Sequence, residues 1–150
     1  MSTKIPPLAQ VFLCGILGWT ATKGLPAYAF ESTASRLLGW SLISIGSVVL
    51  LLSVRSFITA KTTVNPISPD QVSELVTIGL YRYSRNPMYA GMASLLTGHA
   101  LALQNPAALI SPALFVLSVT YLQILPEERT LEEKFGHSFK AYCKGTRRWF

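Results

Sequence analysis

The amino-acid sequence predicts an all-α integral membrane protein with about four transmembrane helices and a C-terminal amphipathic helix. Half of the 150 residues are hydrophobic and only 13% are charged, whereas a soluble domain carries about 25% charged residues. The mean hydropathy is +0.39, and most charges lie outside the long apolar runs. Residues 1–150 are therefore expected to form one membrane domain rather than a soluble core.

Four apolar runs define the predicted spans, at about 7–21, 36–58, 87–104 and 106–125. A straight span needs roughly 20 apolar residues, which the second and fourth runs provide unaided. The first and third runs are shorter and contain Gly, Thr or His, so flanking residues are expected to complete them.

The first run also has an alternative interpretation. Lys4 before an apolar stretch, followed by Ala27-Tyr28-Ala29, is similar to a signal peptide with its cleavage site. Lys23 and Pro26 intervene before that site and disfavour cleavage. We therefore expect this segment to remain as the first helix.

Asparagine–proline pairs mark where the third and fourth helices begin. Asn86 is a favoured N-cap and Pro87 is favoured at the first helical position. Asn105-Pro106 predicts a tight reversal, so the third and fourth helices should run antiparallel. Pro126 is expected to kink or restart the fourth helix.

An amphipathic helix is predicted at about 127–143, after the fourth span. Leu131, Phe135 and Phe139 recur every four residues, which puts them on one face. A shorter interfacial helix is predicted from Ser73 to Ile78, closed by Gly79.

Lysine and arginine predict the orientation of the helices. With four spans, both termini and the connection 59–87 lie on one side, which carries most of the basic residues, and the other side has only Lys23 and Arg36. The positive-inside rule therefore predicts cytoplasmic termini. Topology and anionic lipid headgroups account for most of the net charge of +6, and nucleic acid is not an expected partner.

The antiparallel pair of helices is expected to bring two charged clusters together. Arg85, at the start of the third helix, should lie beside Glu127 and Glu128, at the end of the fourth. Arg85 is either a topology anchor or a planar fork that holds a carboxylate next to a positive helix N-terminus. The glutamates either stabilise a first helical turn or accept hydrogen bonds from a ligand's hydroxyl or ammonium groups.

The segment from Leu75 to Trp149 resembles the isoprenylcysteine carboxyl methyltransferase family, which is related to the phospholipid methyltransferases. The resemblance depends on both the order and the spacing of short motifs. These motifs are Gly79-Leu80-Tyr81, Arg85-Asn86-Pro87-Met88-Tyr89-Ala90-Gly91, Glu127-Glu128, Leu131, Phe135-Gly136, Tyr142 and Arg147-Arg148-Trp149.

The resemblance implies methyl transfer from S-adenosylmethionine to a lipid-like or amphipathic acceptor at the cytoplasmic membrane face. The methylated group would be a carboxylate, as in isoprenylcysteine, or an amine, and no metal is implied. Arg85 and Glu128 are the candidate catalytic residues. The candidate cofactor-binding residues are Tyr81, Asn86, Pro87, Tyr89, Gly91, His99, Glu127 and Glu128. From its residue type alone, His99 is expected to make a packing hydrogen bond within the third span.

The chain departs from the eukaryotic family members at Asn86, where they have histidine. Asparagine cannot carry a positive charge, so an ionic or proton-transfer role of that residue would be lost. The chain is also short at both ends and looks like the compact bacterial branch, which implies a bacterial inner membrane. The alternatives are a membrane reductase with a nicotinamide cofactor and a non-catalytic membrane scaffold. The sequence does not specify an oligomeric state.

Overall fold

The computed structural model describes residues 5–59 and 75–149, and the described part is helical with no strands. One isolated parallel bridge joins Ser84 to Arg147. The helices are α1 (Pro7–Gly24), α2 (Thr33–Thr59), α3 (Pro87–Ala102), α4 (Ile110–Val119) and α5 (Leu125–Gly145). Within the described residues, the connecting segments include the 3₁₀ turns Pro26–Tyr28, Gly79–Arg82 and Pro106–Leu109 and the π-helical turn Thr120–Ile124. The interfacial helix predicted from Ser73 begins outside the described residues, and residues 75–77 have no regular structure.

Two of the four predicted spans have the length and hydropathy needed to cross a membrane. They are Thr33–Ser56, with a mean hydropathy of 2.2, and the 40-residue helical stretch Pro106–Gly145, with 1.9. The helix α3 has 16 residues, fewer than the roughly 17–25 of a straight span. The helix α1 has 18 residues but includes the polar residues Gln10 and Lys23. The four-span topology therefore stays a prediction.

Close approach of two backbones holds α2 against α3. A Cβ atom at Gly98 would lie 2.5 Å from the carbonyl oxygen of Gly39, and one at Gly46 would lie 2.7 Å from that of Gly91. Small residues permit this approach, as at many helix interfaces in membranes. The pairing fixes the height and rotation of α3, and hence the position of its first turn.

The helix α1 packs against α4 and contributes to the helical core. Its buried Gln10 accepts a hydrogen bond from Ser118 of α4 at 3.0 Å and donates to the carbonyl of Ile5 at 3.0 Å. Cys14 joins a buried cluster formed with α3, α4 and the π-helical turn, whose other members are Tyr89, Met92, Leu96, Phe115, Val119 and Ile124.

The reversal between α3 and α4 forms where the asparagine–proline pair predicts it. The Asn105 side chain accepts a hydrogen bond from the backbone N–H of Ala107 at 2.9 Å and caps the 3₁₀ turn that Pro106 begins. Its amide also donates to the Leu25 carbonyl at 2.9 Å, which ties the reversal to the end of α1. The end of α4 and the start of α5 consequently lie beside the start of α3.

The α-helix restarts at Leu125, with Pro126 in its first turn, which confirms the predicted restart. Proline removes one helical N–H and crowds the preceding turn, and here the π-helical turn Thr120–Ile124 lies directly before it. Such turns are often found at functional sites.

A second irregularity of the helical backbone occurs at Gly136, whose dihedral angles are non-helical, with φ 48° and ψ −113°. The amphipathic helix predicted at 127–143 is therefore not one straight helix. Glycine adopts positive φ at little cost, so the backbone can change direction between the half-buried Phe135 and the buried Phe139.

Candidate functional site

The structure brings the basic and acidic clusters together, as the antiparallel arrangement predicts. Arg85 precedes α3 and donates from Nε and Nη2 to the Glu128 oxygen Oε1, at 3.2 and 2.9 Å. The two side chains are only 13% and 17% exposed. The pair therefore joins the residue before the N-cap of α3 to the first turn of α5 in a largely water-excluded position.

The remaining end of the Arg85 guanidinium also faces the protein. Its Nη1 donates to the carbonyl of Thr146 at 2.6 Å and lies 3.5 Å from the carbonyl of Cys143. The sequence leaves two roles open for Arg85, a topology anchor or a planar fork that holds a carboxylate. In the structure the fork faces the Glu128 carboxylate and the end of α5.

Glu128 also accepts hydrogen bonds from a second arginine, Arg148, which belongs to the motif Arg147-Arg148-Trp149. Arg148 donates from Nε to Oε1 at 3.1 Å and from Nη2 to Oε2 at 2.7 Å, a bidentate ion pair. Burial raises the pKa of the Glu128 carboxyl, but the hydrogen bonds and charges of Arg148 and Arg85 outweigh it, so the pKa lies below its ordinary value. The Glu128 side chain is therefore a carboxylate that forms ion pairs with both Arg85 and Arg148.

The C-terminal segment, residues 146–149, docks along the residues that lead into α3. The backbone N–H of Arg85 donates to the Arg147 carbonyl at 2.9 Å. The Asn86 side-chain amide donates to the Arg148 carbonyl at 3.0 Å. Asn86 occupies the N-cap position, but its side chain makes no capping hydrogen bond. The prediction of its position is confirmed, and the prediction of side-chain capping is wrong, because the amide holds the C-terminal segment instead.

A second carboxylate is held one residue earlier, at Glu127. Tyr89, in the first turn of α3, donates its hydroxyl to Glu127 at 3.0 Å. The buried amide of Gln123 donates to the same oxygen at 2.8 Å from the π-helical turn. Glu127 and Glu128 are thus oriented by different partners, one by neutral donors and the other by two arginines.

Tyr81 lies beside this second carboxylate and is buried. Burial raises the pKa of its phenol, as do the nearby Tyr142 and Glu127, so the group stays protonated. Its backbone carbonyl accepts the Tyr142 hydroxyl at 2.6 Å. This bond ties the second half of α5 to the turn before α3.

The other predicted site residues have different surroundings. Pro87 is fully buried at the first position of α3. Gly91 faces α2, where an added Cβ would lie 2.9 Å from the Gly46 carbonyl oxygen. Its small size therefore admits the neighbouring helix α2.

His99 lies about 18 Å along the axis of α3 from Pro87, at 1.5 Å per residue. It lines a largely apolar cavity of about 440 Å³ with residues of α1, including Phe12 and Trp19.

The structure brings together most of the predicted site residues, namely Tyr81, Arg85, Asn86, Pro87, Tyr89, Glu127 and Glu128. It does not bring Gly91 or His99 to the two carboxylates.

Sequence reasoning missed Gln123, Tyr142 and Arg148 as members of this site. A signal existed for Gln123, which is a polar residue within an apolar run and lies four positions before Glu127, on the same helix face. Tyr142 and Arg148 belong to motifs that carry the family resemblance, but their partners lie 61 and 20 residues away in the chain, so no local pattern indicates these contacts.

Comparisons with known proteins support the family resemblance. The family model described as Phospholipid methyltransferase matches residues 34–138, more than half of the chain. An uncharacterized protein of Haemophilus influenzae is 36% identical over 62 residues, which cover 41% of this chain and 98% of that protein.

Two rice proteins, from Oryza sativa subspecies indica and japonica, are named as probable protein-S-isoprenylcysteine O-methyltransferases. Each is 28% identical over 107 residues, which cover 71% of this chain and 56% of the rice protein. The chain thus spans about half the length of these relatives, and no solved structure matches it. From the extent of the family match, the chain belongs to the phospholipid methyltransferase family.

Proposed function

We propose that this protein is a membrane methyltransferase that transfers a methyl group from S-adenosylmethionine to a lipid-like acceptor at the cytoplasmic membrane face. One observation carries the proposal beyond family membership. The two motifs that resemble the cofactor-binding and catalytic segments of this family meet through Tyr89–Glu127 and Arg85–Glu128 contacts. A membrane scaffold would not need this convergence of oriented carboxylates at one helix end.

The donor set fits the chemistry of the proposed cofactor. S-adenosylmethionine carries a carboxylate, an ammonium group, a sulfonium and ribose hydroxyls, and when bound it supplies a methyl group already activated for transfer. Glu127 offers a carboxylate suited to hydroxyl or ammonium groups, and Arg148 offers a cation suited to a carboxylate.

The residues of the chain would contribute orientation and exclusion of water. Methyl transfer from an activated donor depends chiefly on placing the reactants in line and out of water. Tyr89 and Gln123 hold Glu127 in one orientation, while Glu128 holds Arg85 and Arg148 together. In this proposal Arg85 and Glu128 build the wall of the site and position the C-terminal segment against it.

The acceptor class follows from the family and its chemistry. The name of the matching family refers to phospholipids as the methylated molecules, and the names of the rice relatives refer to isoprenylcysteine. Both classes combine an apolar chain with a polar headgroup, an amine in some lipids and a carboxylate in isoprenylcysteine. Such a molecule would reach the carboxylate clusters from the bilayer, with its headgroup at the basic, cytoplasmic side.

Ligand binding to the full chain in detergent or nanodiscs tests this proposal. Calorimetry is expected to show binding of S-adenosylmethionine and S-adenosylhomocysteine and none of NADPH. Binding of NADPH alone would support a membrane reductase, and binding of none of the three would support a scaffold. A radiolabelled methyl donor, incubated with lipid extracts, would then identify the acceptor.

A further inference from the structure

We infer that Arg148 is the anion-binding residue of this site, that its ligand is a carboxylate or phosphate, and that Arg85 does not share this role. The inference rests on the proposed function, since it takes the anion to belong to a methyl-transfer reactant. It places the ligand anion on Arg148, whereas the sequence offered Arg85 as the fork that holds a carboxylate.

Arg85 has little donor capacity left for a ligand. A guanidinium has five N–H groups on three nitrogens, and all three nitrogens of Arg85 already face protein oxygens. Nε and Nη2 donate to Glu128, and Nη1 donates to Thr146. Its side chain is only 13% exposed. A ligand anion would have to displace these contacts.

Arg148 differs in both respects. Its Nε and Nη2 donate to Glu128, whereas no hydrogen bond of Nη1 is found within residues 5–59 and 75–149. Its side chain is 39% exposed. The bidentate pair with Glu128 fixes the guanidinium plane, so binding an anion at Nη1 would cost less conformational entropy than it would with a free arginine.

The local charge also favours an anion. Glu128 carries one negative charge and contacts two arginines, at 2.9 and 2.7 Å. Glu128 and its two arginines together carry one net positive charge, while Glu127 is held separately by Tyr89 and Gln123. Arg148 is the more exposed of the two arginines, so a carboxylate or phosphate would meet this positive charge there.

Two reactants could supply the anion: the cofactor through its methionine carboxylate, or the acceptor through its headgroup. The first arm of the test compares binding of S-adenosylhomocysteine with binding of its decarboxylated analogue. The second arm compares N-acetyl-S-farnesylcysteine with its neutral methyl ester, and phosphatidate with diacylglycerol, in uncharged micelles. Each pair differs in the anionic group, so the ratio of dissociation constants reports the recognition of that group.

The variants are Arg148→Gln and the matched control Arg147→Gln. The Arg147 side chain is exposed and makes no hydrogen bond or ion pair with the described residues. The wild-type protein and Arg147→Gln should prefer the anionic member of at least one pair by about 10-fold or more. Arg148→Gln should reduce that preference to less than about threefold. The arm that responds identifies the reactant.

Arg148→Lys keeps the charge beside Glu128 but lacks the planar fork. It should unfold within about 2 °C of the wild type and lose most of the preference, which separates ligand recognition from folding. The inference is overturned if the wild-type protein shows no preference in either arm, or if both Arg148 variants retain it. Failure of S-adenosylhomocysteine to bind would refute the proposed function separately. The comparison of the acceptor analogues would still test whether Arg148 binds an anion.

Discussion

Arg85 and Glu128 lie 43 residues apart in the chain and share two hydrogen bonds through a single carboxylate oxygen, at 3.2 and 2.9 Å. The pair connects the residue before Asn86, the N-cap of α3, to the first turn of α5. Because Arg148 contacts the same carboxylate, one side chain holds three segments of the chain. The mechanical role of Glu128 can therefore be tested apart from any ligand.

Glu128→Gln should lower both thermal stability and ligand binding. The substitution removes the negative charge between two arginines and leaves the largely buried Arg85 without its ionic partner. Hydrogen bonds to charged groups contribute roughly 1.5–3 kcal/mol each, and partial exposure of Arg148 reduces the sum. The apparent unfolding temperature in detergent should fall by about 4 °C or more.

Glu132→Gln is the matched control for that loss. Glu132 pairs with Lys140 at 3.3 Å, but these side chains are 51% and 64% exposed. Exposed ion pairs contribute little to stability, so the unfolding temperature should change by less than about 1 °C. Equal losses in the two variants would contradict a special role for the Glu128 contacts.

The Glu128 ion pairs also predict a response to acid. The pKa of Glu128 lies below its ordinary value of 4.5 in the folded protein, so its charge stabilises the fold above that pH. This contribution is lost as the pH falls through the lowered pKa. Thermal unfolding followed from pH 7 to pH 3 should show a steeper acid decline in the wild type than in Glu128→Gln. Parallel curves would exclude this linkage.

Arg85→Lys should loosen the C-terminal segment. Lysine retains the charge but cannot donate to Glu128 and to the Thr146 carbonyl from one planar group. We expect faster amide hydrogen exchange in residues 142–149 and lower turnover once an acceptor is known. Arg82→Lys is the control, because the Arg82 side chain is exposed. Unchanged exchange in Arg85→Lys would show that its backbone contacts suffice to dock the segment.

Tyr89→Phe should weaken cofactor binding without unfolding the protein. The hydroxyl donates to both oxygens of Glu127, at 3.0 and 3.2 Å, and its removal frees the carboxylate to rotate. The dissociation constant of S-adenosylhomocysteine should rise by about 10-fold. Tyr121→Phe is the control, since Tyr121 is 67% exposed. Equal affinities of the two variants for S-adenosylhomocysteine would show that Tyr89 does not contribute to cofactor binding.

Gly98→Ala should destabilise the α2–α3 pair. The added methyl group would lie 2.5 Å from the Gly39 carbonyl oxygen and 2.9 Å from the Ile43 nitrogen, so backbone must move. Overpacking of this kind costs about 1–3 kcal/mol, which should appear as a lower unfolding temperature. At Gly24 a Cβ meets nothing within 4 Å, so Gly24→Ala should have almost no effect.

The sequence by itself determined the positions of the helices and the meeting of the two charged clusters. Apolar runs and proline signals are local, and they indicate the start of α3 at Pro87 and the reversal at Asn105 without knowledge of any distant residue. Antiparallel helices joined by a short turn must then place Arg85 near Glu128. This much follows from chain geometry alone.

Only the tertiary structure decided where each side chain in those clusters points. Arg85 faces Glu128 and Thr146, because the non-helical backbone at Gly136 allows the chain to return to the start of α3. Gly91 faces α2 for a different reason, namely the close backbone contact with Gly46. Such directions depend on partners 43 to 61 residues away, and residue type and helical period do not specify them, because each helix can present the same residues to several neighbours.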